Sequence, residues 1–317
     1  MKKILFFLIL ATVFIVASFV YLNRDTTAQT EDPIVDQVQL ENVNTVPYVV
    51  SVPDNAVTNE QGYDNFYLGV DQAECHISVN PQNPIQFFCA FNTNATHYTI
   101  NGLDWYSNNP SIASPRGDVV TAYDSLGRVY LENMYGSSSI LGTQVARSDN
   151  NGQSWLGVVY ANSGYDKNWL AADQTGGPYA NYVYTTMSSS GGVNFGRSTN
   201  RGVSFTAAYF FSYYPLPGSM PCVGPNGGIQ GGVVYVVINS GSTFAPSYIF
   251  NKSTNGGASF SVGSVKNWEN NVGTAVNNRH SVENMRTRPY QFITADNSYG
   301  TYRERLYCVY ANNDPPV

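Results

Sequence analysis

The chain has 317 residues, only 12% of them charged, with 16 Lys and Arg and a formal net charge of −6. Basic groups so few and scattered exclude a nucleic-acid partner, which requires clustered cations to displace counterions from phosphates. With 24 Tyr, 28 Gly and 16 Pro, the composition favours short strands and tight turns, no segment carries surface-helix periodicity, and the chain reads as all-β.

In chain order, Lys2 and Lys3 precede an apolar run from Ile4 to Leu22, followed by the polar Asn23-Arg24-Asp25. That pattern marks residues 1–30 as an export segment and predicts that the remainder is secreted or displayed at the cell surface. Two readings stay open. Thr26-Thr27-Ala28 offers a small-residue cleavage site for a signal peptide, whereas the run is also long enough to be retained as a membrane anchor. No other membrane contact is expected. Residues 31–69 read as an extension or linker, in which Val46–Val52 and Phe66–Val70 could add closing strands.

From residue 70 onward one pattern recurs: strand, polar turn, strand. It runs Ile77–Val79 to Ile85–Phe91, Val119–Tyr123 to Val129–Leu131, and Trp169–Ala172 to Tyr182–Thr185. It continues with Pro221–Val223 to Val233–Ile238 and Gln291–Ala295 to Arg305–Tyr310. Cys75 and Cys89 flank the first turn symmetrically and are a disulfide candidate outside the cytoplasm; the alternative is two buried free thiols. Cys222 and Cys308 carry no local signal for pairing.

A second signature follows three of these units. Ser148-Asp149-Asn150-Asn151-Gly152-Gln153-Ser154-Trp155 is matched by Ser198-Thr199-Asn200-Arg201-Gly202-Val203-Ser204-Phe205 and by Ser253-Thr254-Asn255-Gly256-Gly257-Ala258-Ser259-Phe260. Each reads Ser-x-Asn-x-Gly-x-Ser-aromatic, with starts 50 and then 55 residues apart. The Asx side chain braces a turn, Gly supplies a positive φ, and the aromatic opens the next strand. Added to the strand pairs, the octapeptide hairpin completes a unit of four antiparallel strands in about fifty residues, the size of a propeller blade.

These octapeptides resemble the Asp-box, or bacterial neuraminidase repeat, with Asn in place of Asp. The phrases Ile77-Ser78-Val79-Asn80-Pro81-Gln82-Asn83-Pro84, Asp166-Lys167-Asn168-Trp169-Leu170-Ala171-Ala172-Asp173, and Arg288-Pro289-Tyr290 with Asp296-Asn297-Ser298 are likewise similar to secreted bacterial sialidase-like proteins. The resemblance covers roughly residues 70–313. It implies a sialidase-type propeller of six four-stranded blades. Unit starts near residues 74, 118, 168, 219 and 288 give about five, the fifth stopping after two strands. Residues 70–317 are therefore expected to be an incomplete propeller.

In a propeller the inner strands surround the axis, and the residues just before them face the ligand funnel. Those residues are Glu74, Asp118, Asp166 with Lys167, and Arg286 with Arg288; Arg116 lies close by. Asp118, Glu74 and Asp166 are the candidate catalytic carboxylates, with Asp118 the acid/base by position. Arg116, Lys167, Arg286 and Arg288 are the candidate substrate-binding cations. The bland reading is turn capping and local ion pairing.

The resemblance implies an exo-sialidase-like glycoside hydrolase with three arginines, a Tyr nucleophile activated by Glu, and an Asp acid/base. This sequence departs from it, with no Phe-Arg-Ile-Pro-like motif near the first unit. The alternative is a non-catalytic propeller binding a glycan or glycoprotein. No metal site and no cofactor are assigned, because phosphate-binding loops, dinucleotide fingerprints and paired Cys-x-x-Cys motifs are missing. A structural calcium ion among the Asp/Asn-rich turns has no identifiable ligand set.

Overall fold

The structure is a computed structural model describing residues 57–60, 63–66, 68, 73–213, 215–242, 245–267, 274–276, 279–282, 285–286 and 290–311. The N-terminal apolar run, Val46–Val52 and Arg288 lie outside the described residues, and of Arg286 only the backbone is described. Among the described residues every regular element is a β-strand.

A short hairpin, β1 (Val57–Glu60) with β2 (Tyr63–Phe66), forms its own sheet. Four meanders follow. The first is β3 (His76–Val79), β4 (Phe87–Phe91), β5 (Ala95–Thr99) and β6 (Trp105–Tyr106); the second is β7 (Pro115–Tyr123), β8 (Val129–Tyr135), β9 (Gly142–Ser148) and β10 (Gly157–Ser163). The third is β11 (Asp166–Ala172), β12 (Val183–Ser189), β13 (Gly192–Ser198) and β14 (Thr206–Phe211); the fourth is β15 (Pro215–Asn226), β16 (Ile229–Ser242), β17 (Ala245–Ser253) and β18 (Ser261–Asn267). A small sheet of β19 (Thr274–Val276), β20 (Arg279–Val282) and β21 (Met285–Arg286) precedes the hairpin β22 (Gln291–Ala295) and β23 (Leu306–Tyr310). In each four-stranded sheet spatial order follows sequence order, and every pairing is antiparallel. The predicted strand, turn, strand units are the first two strands of each blade, and the octapeptides join the third strand to the fourth in blades two to four.

Burial explains why these sheets cannot stand alone. Along β8 and β12 six successive residues are buried, whereas β18 is exposed throughout. A strand buried on both faces needs a neighbour on each side. Phe88 and Ala90 of the first blade pack with Val119, Tyr123, Val129 and Leu131 of the second. Val120, Tyr130 and Val145 then meet Leu170 and Val183 of the third. Tyr184, Val193 and Phe195 meet Val234, Val236 and Ile238 of the fourth, and Cys222, Val237 and Tyr248 meet Ile293 of the fifth. The core is thus a series of layers between blades, and β3, β7, β11, β15 and β22 stand side by side in that order. This is an all-β propeller of four-stranded antiparallel blades.

The octapeptides make the same bonds three times. Gly152, Gly202 and Gly257 donate backbone N–H to the hydroxyls of Ser148, Ser198 and Ser253 at 3.0, 2.8 and 3.0 Å. Asn150, Asn200 and Asn255 accept from the backbone N–H of Ser154, Ser204 and Ser259, and each donates its amide to the same serine's hydroxyl at 2.8–2.9 Å. In that second bond the asparagine amide donates; an aspartate there could only accept, leaving the serine hydroxyl to donate.

The turns also fasten neighbouring blades. A Cβ on Gly152 (φ +84°) would stand 2.6 Å from the Phe88 ring, on Gly202 2.7 Å from Tyr130, and on Gly257 2.8 Å from Phe195, in each case an aromatic of the preceding blade. Trp155 packs edge-on against Phe88 at 5.7 Å and donates its indole N–H to Asn108 O at 2.9 Å. Arg147 and Arg197 donate forward to the Gly202 and Gly256 carbonyls, and Arg201 reaches back to the buried Asp124 at 2.7 Å. The turn residues are clasps between blades.

The disulfide candidate needs correction. All four cysteines carry free thiols. Cys89 pairs with Ile77, and Cys75 precedes the paired run, so the two cysteines are not partners in the register.

Candidate functional site

One position recurs around the axis. Immediately before the paired run of each inner strand stand Glu74, Asp118, Lys167, Gly218 and Tyr290, and all five line a single cavity of about 230 Å³. The backbone puts four of them there by one device. Glu74, Asp118, Lys167 and Gly218 have φ of 53°, 49°, 39° and 121°. Pairing registers break over the last three, between Gly117 and Val120, Asp166 and Asn168, and Pro215 and Ser219. Such bulges re-aim a side chain and are common beside active sites. A left-handed conformation costs a non-glycine residue of order 1 kcal/mol, so it persists only where the surroundings enforce it. Here the same backbone carries an acid, an acid, a base and no side chain.

Three of those side chains form a cluster. Lys167 Nζ lies 3.3 Å from Asp118 Oδ1 and 5.4 Å from the centroid of the Tyr290 ring. Glu74 is hydrogen-bonded to Asp118 and accepts from Asn92 Nδ2. Burial, then the charge of Asp118 and the hydrogen bond to it, raise the Glu74 carboxyl to about 7, against the opposing pull of Lys167 and Asn92. Glu74 sits exposed at the cavity rim, so water screens part of this penalty. Burial works against the charge of Lys167, yet Asp118, Glu74 and Asp166 together hold its pKa above the ordinary value. Glu74 thus keeps a proton near neutral pH beside a carboxylate held by an ammonium, the arrangement of a general acid.

Aromatic rings floor the cavity. The Trp169 indole meets the His76 ring edge-to-face at 5.4 Å and the Phe292 ring at 5.3 Å, joining blades one, three and five. In the wall, Asn168 is 1% exposed and donates to Glu132 Oε2 at 2.9 Å, while behind it Thr185 Oγ1 donates to Glu132 Oε1. Burial raises the fully enclosed Glu132 to about 7, against hydrogen bonds from Thr185, Asn168 and Thr143.

The sequence candidates divide. Glu74, Asp118 and Lys167 are brought together in the cavity. Asp166 is not among the lining residues; it receives the Lys167 backbone N–H at 2.9 Å and adds to the charge holding that ammonium. Arg116 is directed to the Gly136 carbonyl at 2.9 Å, away from the lining. Arg286 and Arg288 precede Tyr290, which takes the lead-in position of the fifth blade. Tyr290, His76, Trp169, Asn168 and Glu132 were not singled out as candidates. Only Glu132 left a local signal, as a lone acid within the apolar run Val129–Tyr135. Among the described residues no group of three or more His, Cys, Asp or Glu is placed to hold a metal ion.

No family model matches the sequence, and no curated protein matches it. Among solved structures, the chain is similar to the NanB sialidase from Streptococcus pneumoniae, at 9% identity and a TM-score of 0.44 over 86% of this chain and 60% of that one. It is also similar to the GH43 BlXynB protein from Bacillus licheniformis, at 10% identity and a TM-score of 0.40 over 75% and 48% of the two chains. A third is the leech intramolecular trans-sialidase complexed with 2,7-anhydro-Neu5Ac, at 13% identity and a TM-score of 0.40 over 68% and 32%. The chain spans less than two thirds of the length of each of these structures.

Proposed function

We propose that this chain is a glycan-acting propeller that admits one terminal sugar residue to the axial cavity, where Glu74 protonates the glycosidic oxygen. The observation that carries this reading is the cluster of Glu74, Asp118 and Lys167 on equivalent bulged positions above an aromatic floor. Glu74 supplies the proton. Asp118 raises its affinity for that proton, and Lys167 holds Asp118 in place. Trp169 and Phe292 offer apolar faces to a sugar ring. The sialidase form of this reading rests on the octapeptides, which we read as Asp-boxes. The export pattern of the N-terminal residues supports an activity at the cell surface or outside the cell, on glycans or glycoproteins.

One observation favours the second reading, a non-catalytic glycan-binding propeller. Glu74 and Asp118 are in hydrogen-bond contact, closer than the carboxyl separations of about 5–5.5 or 6.5–9.5 Å that retaining and inverting glycosidases use. Turnover of a panel of fluorogenic glycosides, sialosides included, separates the two. The enzyme reading expects saturable hydrolysis that falls in Glu74→Gln while the sugar still binds. Binding without turnover of any glycoside across the pH range overturns it in favour of the second.

A further inference from the structure

Resting on the glycan reading of the same cavity, one residue goes beyond the carboxylates: His76. Its Nδ1 accepts the backbone N–H of Thr121 at 3.2 Å and lies 2.9 Å from the Thr121 hydroxyl. A backbone N–H can only donate, so Nδ1 must present its lone pair, and the ring proton of a neutral imidazole then sits on Nε2. The edge-to-face contact with Trp169 fixes the ring plane. Among the described residues Nε2 has no hydrogen-bond partner, and His76 lines the cavity.

The charges that share this cavity are Glu74, Asp118 and Lys167; the fifth blade contributes the uncharged Tyr290, Gln291 and Phe292. Lys167 is the one cation among the described lining residues, and it is already paired with Asp118. With Glu74 holding its proton near neutral pH, Asp118 and Lys167 offset each other, and no cation is left over. An acidic sugar would meet no spare cation beside the Asp118 carboxylate, whereas a hydroxyl group can both accept from an imidazole N–H and donate to a carboxylate. We propose that His76 binds a ligand oxygen through a fixed Nε2–H, and that the cavity selects an uncharged, hydroxyl-bearing sugar over an acidic one. Burial holds the His76 pKa down at about 4, so the ring does not become a cation near neutral pH.

Long-range proton–nitrogen NMR of the full chain, with Glu, Asp and Lys unaltered, reads the tautomer directly. His76 is expected to remain neutral with its proton on Nε2 from about pH 5 to 8. Its resonances are assigned by their loss in His76→Gln. Methyl glycosides of neutral pentoses and hexoses are then titrated against the methyl glycosides of glucuronic and sialic acids. The neutral sugars should shift the Nε2–H resonance. His76→Ala should weaken them roughly three- to tenfold, with partial recovery in His76→Gln, whose amide also donates. A proton on Nδ1, or a titration midpoint between pH 5 and 8, overturns the role of His76. Preferential binding of an acidic sugar overturns the neutral class while leaving the glycan reading intact. Binding of no sugar of either kind, with the tautomer as expected, sinks the glycan reading and this inference with it.

Discussion

The octapeptide turns recur in three blades and the lead-in positions in five, yet they are repeated in different senses. In the turns, side chain and backbone recur together: Ser, Asn, Gly and Ser make the same bonds at nearly the same distances in blades two, three and four. At the lead-in positions only the backbone recurs. A left-handed residue is retained, while its side chain is Glu, Asp, Lys or nothing. Where a repeat keeps its side chains, the side chains build the fold. Where it keeps the conformation and changes the chemistry, the fold is presenting groups to something else.

Substitutions in the two regions should therefore dissociate. Glu74→Gln is expected to cut glycoside turnover by about 10²- to 10⁴-fold, the range for a lost general acid, with little change in denaturant midpoint. Because the raised carboxyl keeps its proton up to about pH 7, wild-type turnover should fall as pH rises through that value. A wild-type rate unchanged from pH 6 to 9 would remove Glu74 from the role.

Gly152→Ala should do the reverse. A Cβ at a positive φ and 2.6 Å from the Phe88 ring is expected to cost about 3 kcal/mol of unfolding free energy. Ligand affinity of the folded fraction should stay unchanged. Equal stability of the variant and wild type would show that the turns are not clasps.

Glu132 lies between the two regions, with its effect written in pH. Its folded pKa is about 7 against an unfolded 4.5, so the native state holds the extra proton between those values. Stability conferred by the protonated form is full below about pH 4.5 and is lost as pH rises through 7. The loss of stability between pH 5 and pH 8, read by chemical denaturation, should be about 2–3 kcal/mol larger in the wild type than in Glu132→Gln, the solvent-screened share of Glu74 being common to both. A wild-type profile flat over that interval contradicts a neutral buried Glu132.

The smallest effect belongs to Asn150→Asp. It removes the amide donated to Ser154 but keeps the acceptor, and should shift unfolding by about 0.5–1 kcal/mol. A loss as large as that of Gly152→Ala would mean the amide, rather than the glycine, secures the turn.

Much of this is legible in the sequence. Periodic Ser-x-Asn-x-Gly turns and polar breaks between apolar runs specify blades, because each turn and strand is a local decision. Glu74, Asp118 and Lys167 were legible as a set because they precede equivalent strands. What escaped were relations across blades. His76 becomes informative only when Thr121, 45 residues away, supplies a backbone N–H. Tyr290 is one of 24 tyrosines, distinguished only by standing where Glu74 and Lys167 stand in their blades. The turns read as local structure, and their grip on Phe88, Tyr130 and Phe195 required the ring to be seen.

That grip has a direction. The clasps of blades two, three and four each press their glycine onto an aromatic of the blade synthesised before them. A nascent blade leaving the ribosome thus finds its docking surface already made, and every addition closes on the one before. An order of assembly from the N-terminal side is thus open to these clasps, while the Trp169 contacts to His76 and Phe292 wait for the fifth blade. A permuted chain that synthesised the fourth blade first would leave its clasp without a partner until the third had followed.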